Sequence, residues 1–183
     1  MSTDDELLAA YDDGDELAFN ELVRRHVSSV YTFALRLTGN EQNAEDIAQI
    51  TFVKAWLNLG KFLRGSSFRT WLLAIARNAS IDLLRKKHEI PITLMQSDES
   101  ESSFEENLPD MEPLPDEITA SAREKETMQT LLKELPLVQR EVLLLYYQEH
   151  LTFAEISQTT GISINTIKSR HFRALRELRK RLI

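Results

Sequence analysis

The sequence predicts an all-α fold, two small helical domains joined by an acidic flexible linker, and three observations predict it. Apolar residues recur at three- and four-residue spacing through Leu17 to Leu37, Ala44 to Leu59, Phe68 to Leu84 and Met128 to Tyr147, the period of helices with one buried face. β-Branched alternation is absent, and glycine and proline are scarce outside one stretch, so strands and hairpins leave no signature. That stretch, residues 91–122, holds four of the five prolines, nine acids and no basic residue, a composition that cannot offset the entropy of ordering. A chain of 183 residues with 42% hydrophobic content has enough apolar surface for a small core on each side of it, in 1–90 and 123–183.

Each element follows from local chemistry. Asp15 and Glu16 complement the dipole at the start of a first helix, whose buried stripe runs Phe19, Leu22, Val23, His26, Val30, Phe33, Ala34, Leu37 until Gly39 and Asn40 break it. A second helix is expected from about Asn43 to Leu59, and a third from Ser67, an N-cap, to Lys87, with Gly60 to Ser66 as the loop between them. Pro136 separates two helices ahead of a terminal helix-turn-helix. In that last unit Gly161 and Ile167 follow Ser157 by four and ten residues, the spacing that packs one helix on another across a tight turn, and Gly161 supplies the left-handed backbone.

Composition excludes several classes of function. With no cysteine, neither a disulfide framework nor a thiolate zinc site can form, and His26, His88, His150 and His171 lack ligand spacing, so no metal and no cofactor is expected. Asp12, Asp13, Asp15 and Glu16 read as a solvated, helix-starting patch rather than a carboxylate cluster for metal-assisted catalysis, so no catalytic residue is assigned and no enzyme is expected. The acidic start lacks a signal peptide's order and no apolar run approaches a membrane span, so a cytoplasmic chain without membrane insertion is expected.

Charge location is more informative than the total of −7. From Gly161 to Ile183 there are seven basic residues against one acid, and from Lys61 to Lys87 again seven against one, with Phe62, Phe68 and Trp71 interleaved in the second group. The first pattern suits duplex DNA; the second suits unpaired strands, whose phosphates meet cations and whose bases stack on aromatic faces. Trp71 and Phe68 have an ordinary alternative as core residues, and Phe62 one as the anchor of its loop.

Taken in order, EDIAQITFVKAW (Glu45 to Trp56), FLRGSSFRTWLLAIARNASIDLLRK (Phe62 to Lys86) and the terminal helix-turn-helix resemble an extracytoplasmic-function (group IV) sigma factor of bacterial RNA polymerase, of the sigma-70 family. The resemblance implies sigma region 2 in 1–90, a linker in 91–122 and sigma region 4 in 123–183, with core RNA polymerase, promoter DNA and an anti-sigma factor as partners. It would set Asp46, Gln49, Phe52 and Val53 against the clamp helices of the polymerase's largest subunit. Asp46, Gln49 and Val53 do share one helix face, whereas Ile47, Phe52 and Trp56 have the domain core as an alternative, and the acid the family commonly carries after the Gln is Ile50 here.

For the −10 element the resemblance gives Asn78 a flipped-out base, with Phe62 and its loop, Arg64 included, lining the pocket and Arg77, Arg85, Lys86 and Lys87 on the backbone. For the −35 element it gives Lys168, Ser169, Phe172 and Arg173; Asn165, Thr166 and Arg170 lie in the same N-terminal part of the recognition helix, while Ile164, Ile167, His171 and Leu175 form its packing face. The acidic linker reads equally as a tether or as a nucleic-acid mimic entering the polymerase's basic channel. A conventional helix-turn-helix regulator, with the N-terminal helices as a dimerisation or sensing domain, is the rival reading.

Overall fold

The computed structural model describes residues 2–87 and 129–182. Seven helices carry the fold among them: α1 (Asp4–Asp12), α2 (Glu16–Thr38), α3 (Glu41–Asn58), α4 (Phe68–Lys86), α5 (Leu137–Leu143), α6 (Phe153–Thr160) and α7 (Ile164–Leu182). A helical stretch at 129–134 precedes α5, and a π-type turn, Leu144–Gln148, extends it. The linker read at 91–122 lies outside the described residues.

Helix boundaries obey their caps. The Asp15 side chain accepts from Leu17 N at the start of α2, Asn40 from Asn43 N at the start of α3, and Ser67 from Thr70 N at the start of α4. Gly39 ends α2 in the left-handed region at φ 70°, a conformation that favours glycine, while a Cβ there would meet only the flexible end of the Lys133 side chain, at 3.1 Å from Cε. Thr152 and Glu155 form a capping box on α6, and hydrogen bonds from the Thr152 backbone and hydroxyl hold the Glu155 carboxyl below its ordinary pKa. Gly161 closes α6 at φ 73°, as its place in the turn predicts.

α1 is an element the periodicity does not reveal. Its capping box, Thr3 with Glu6, starts a short helix that buries Leu8 completely against α2. Arg25 and His26 of α2 clamp it through Asp4, at 2.6 and 2.8 Å. Asp12, read as a plain solvated acid, ends the helix and receives Arg64.

α2, α3 and α4 pack as a bundle around Leu22, Phe33, Ile47 and Leu72, all essentially inaccessible. α5, its π turn, α6 and α7 build the second unit around Val142, Leu145, Ile156, Ile167 and Leu178. These are not two separated cores. α4 packs on α6, and α2 packs on α5 and the π turn, so one continuous apolar cluster crosses from the first unit into the second.

Candidate polymerase and nucleic-acid faces

α3 divides its side chains between inside and outside. Phe52 is 9% exposed and packs in the core with Ile47, Ala48 and Ala55 on the same side of the helix, so of its two readings it takes the core one and not the outward face the resemblance implied. The outer face carries Gln49, Ile50, Val53 (56% exposed) and Leu57 (67% exposed), with Asp46 half-buried at its upper edge. Trp56 joins it, exposed rather than core, its indole Nε1 donating to Tyr11 Oη at 3.1 Å. Ile50, Val53, Trp56 and Leu57 are half of the large exposed apolar side chains among the described residues, and they lie on one helix face. Water gives such a ridge no reason to exist; a partner surface does.

α4 begins with an aromatic lock. Phe62 is 6% exposed and meets Phe68 edge-on at 5.6 Å and Trp71 at 5.1 Å, so it anchors the loop and presents no open face to a base. Arg64 lies over the Phe62 ring and grips Asp12 with two donors, at 2.9 and 2.6 Å, pinning the loop to the end of α1 and leaving Leu63 outermost. Asn78 is exposed two turns further along α4, about 10 Å from Trp71 at the helical rise. Arg77 lies beside Asn78 and donates to its Oδ1 at 3.1 Å. Arg85, Lys86 and Lys87 form an exposed basic end, where Lys87 Nζ also reaches Asn43 Oδ1 at 2.5 Å.

The recognition helix α7 starts at Ser163, whose hydroxyl accepts from Thr166 N. Asn165 and Lys168 are exposed; Thr166, Ser169, Phe172 and Arg173 are half-buried along the same edge. Arg170 departs from its predicted place: at 4% exposure it belongs to the packing side with Ile167, because the three-residue step from Ile167 keeps it on the same face of the helix. Ile164 departs the other way and is exposed, since only residues past the first turn reach the core. His171 is on the packing face as expected, ringed by Tyr146, Tyr147 and Phe153, and burial pushes its imidazole down to about 4, neutral near pH 7.

Two residues with no assigned role complete the picture. Glu141 and Glu149, each 1% exposed, are buried carboxylates of the second unit whose cationic partners come from the first: Arg77 Nε donates to Glu141, and Arg69 to both the carboxylate and the carbonyl of Glu149, at 2.6 and 2.8 Å. Ser29 of α2 adds a hydrogen bond to Glu149 at 2.9 Å. The signal for them was an acid embedded at each end of the apolar run EVLLLYYQE, a pattern that requires a buried cation nearby. Among the described residues no group of His, Cys, Asp or Glu could hold a metal ion, and no helix is long and apolar enough to cross a membrane.

Comparison with known proteins finds two family matches along the chain. Residues 22–89 match the family Sigma-70 region 2, and residues 125–178 match Sigma-70, region 4. The ECF RNA polymerase sigma factor SigW of Bacillus subtilis (strain 168) is 33% identical over 173 residues, covering 92% of this chain and 91% of that protein. The RNA polymerase sigma-H factor of Pseudomonas aeruginosa is 31% identical, covering 98% of this chain and 93% of its own. Among solved structures, the sigma factor RpoE of Bartonella quintana, in complex with the anti-sigma factor NepR, is similar at TM-score 0.68 and 26% identity over 90% of this chain and 96% of that one. CnrH, in complex with the cytosolic domain of CnrY, is similar at TM-score 0.69 and 25% identity over 98% of this chain and 96% of that one.

Proposed function

The chain belongs to the sigma-70 family, within its extracytoplasmic-function group, and from that premise we propose which of its faces serve which partner. It is a promoter-recognising sigma factor of transcription initiation. Its partners are core RNA polymerase and promoter DNA, and the solved anti-sigma complexes of similar chains extend that set to an anti-sigma factor.

The α3 ridge meets the clamp helices of the polymerase's largest subunit, through Gln49, Ile50, Val53 and Leu57 with Asp46 at the edge. The observation that carries this assignment is the exposure of four large apolar side chains on one face of α3. Ile50, standing where the family commonly has an acid, makes the contact more apolar in this chain. Asn78, with Arg77, Arg85 and Lys86, engages the melted −10 strand; Asn165, Lys168, Ser169, Phe172 and Arg173 engage the −35 duplex. Region 2 spans 1–90 and region 4 spans 123–183, the intervening acids serving as linker; the chain works in the cytoplasm, carries no catalytic group of its own, and contributes positioning and strand capture to the polymerase's reaction.

The test is run-off transcription from a library of promoter fragments with core polymerase, with and without the purified chain. Transcripts that start only in its presence, and that vanish when Val53 and Leu57 are both changed to Glu, support the assignment. Sequence-specific DNA binding by a symmetric dimer, with no affinity for core, would favour a conventional regulator.

A further inference from the structure

The loop between α3 and α4 ends in a turn that is braced from several sides. Phe62 is locked against Phe68 and Trp71, and the Leu63 carbonyl accepts from the Ser66 backbone at 3.1 Å and from the Ser66 hydroxyl at 2.6 Å. Gly65, at φ 85°, supplies the left-handed third residue that a type II turn needs. At the corner of this turn Leu63 is 77% exposed, the most exposed of the large apolar side chains among the described residues. A slack loop would let such a side chain fold back onto the protein; this one is held out in water.

A further brace comes from α1. Arg64 donates through Nε and Nη2 to the two carboxylate oxygens of Asp12, at 2.9 and 2.6 Å, while its guanidinium lies over the Phe62 ring at 5.5 Å. Both partners are exposed, and an ion pair in water adds little stability, whereas a two-pronged one fixes direction. Asp12 also sits at the C-terminal end of α1, in a last turn without a basic residue, where negative charge opposes the helix dipole. An acid at that place serves the loop and not its own helix. α1 is itself a firm mount, fixed by Leu8 in the core, by Asp4 to Arg25 and His26, and by the Tyr11 hydroxyl accepting from Trp56 of α3.

We propose that Asp12 and Arg64 are positioning residues of DNA recognition, and that the side chain they hold in place, Leu63, packs on an unstacked base of the melted −10 strand. Leucine is one of the apolar side chains that insert between base steps, and the exposed Lys61, two residues before it, neutralises a neighbouring phosphate. Arg64, whose fork faces Asp12, acts on the strand through the turn and not as a phosphate contact. The inference rests on the assignment of α4 to the melted strand.

Abasic substitution tests it, because an abasic site keeps the phosphate and removes only the base. On the strongest promoter fragment recovered by run-off selection, each nucleotide of the −10 non-template strand is replaced in turn by an abasic site, and transcription by core polymerase with the full chain is compared with the intact fragment. At one position the parent should lose about fivefold or more, and L63A should be indifferent to the base there. D12A, R64A and D12A/R64A should show the same reduced dependence, the double variant no worse than either single one. R64K, which keeps the charge but not the fork, should behave like R64A. Circular dichroism and core binding should match the parent in all of them. A parent-like abasic profile in L63A or in D12A, or a loss in R64A that R64K restores, overturns the proposal. Since the chain has no cysteine, a nitroxide on Leu63→Cys reads the brace without DNA: its spectrum should narrow when D12A is added, and an unchanged spectrum overturns the brace. Absence of core-dependent transcripts in the parent contradicts the sigma assignment instead, and the nitroxide then reports the brace by itself.

Discussion

α3 and α4 lie side by side in the same bundle and present opposite problems to a partner. The outer face of α3 is largely apolar and exposed among the described residues; the outer face of α4 is cationic and half-covered by the second unit. One is a surface ready for protein, since release of water from apolar side chains favours binding, and the other is a surface two of whose charges, Arg69 and Arg77, are neutralised inside the molecule by Glu149 and Glu141.

Substitutions across α3 break this comparison most strongly. Phe52→Ala should lower stability by about 3 to 4 kcal/mol, read as a shift in urea midpoint, because it empties a packed site. Val53→Glu with Leu57→Glu should leave the same midpoint within about 0.5 kcal/mol, yet cost about 2 to 3 kcal/mol of affinity for core polymerase in a titration. If Phe52→Ala weakens core binding without destabilising the chain, the division of α3 into inner and outer faces is wrong.

α7 offers a parallel pair. Arg173→Ala should weaken binding to a −35 duplex by about 1 to 3 kcal/mol, with selectivity lost if it reads bases and uniform loss across sequences if it meets phosphate. Arg170→Ala should instead lower stability, since its side chain is packed inside. Binding isotherms and melting curves on the two variants separate these roles.

Acid sharpens the comparison between the units. The folded pKa of His171 is depressed to about 4, below its unfolded value, so the unfolded chain binds the proton more readily. Stability contributed by the neutral ring is complete above about pH 7 and falls as pH drops from about 6.5 towards 4, by about 1 to 2 kcal/mol once partial solvent exposure is discounted. His171→Phe should flatten that part of a pH–stability profile, and the loss should follow signals from the second unit. The smallest effect expected is at His150, which holds φ 55°: His150→Gly should raise the melting temperature slightly, by relief of about 0.5 to 1 kcal/mol of strain offset by unfolded-state entropy.

Much of this was legible in the residues. The stripe from Phe19 to Leu37, the Ser67 cap and the Gly161 turn are local features, and local chemistry decides them. α1 escaped notice because nine residues hold barely two turns of periodicity, leaving its capping box as the only strong sign. Phe52 and Phe62 stayed open between a functional face and the interior, and Arg170 was set on a functional face, because sequence spacing gives angles around an axis but not which angle faces the core; that depends on how α2, α4 and the π turn pack. The pairing of Arg77 with Glu141, 64 positions apart, shows in the sequence only as an acid at the edge of the apolar run EVLLLYYQE, with nothing to say which cation answers it.

The most direct test is a titration of fluorescent chain with bacterial core polymerase, beside the Val53→Glu, Leu57→Glu variant and beside free promoter duplex at the same salt concentration. The account predicts tight, saturable core binding by the parent, loss of that binding in the folded variant, and weak binding of either to duplex alone. Core binding that the variant retains in full would contradict the α3 interface, and absence of core binding by the parent would contradict the function itself.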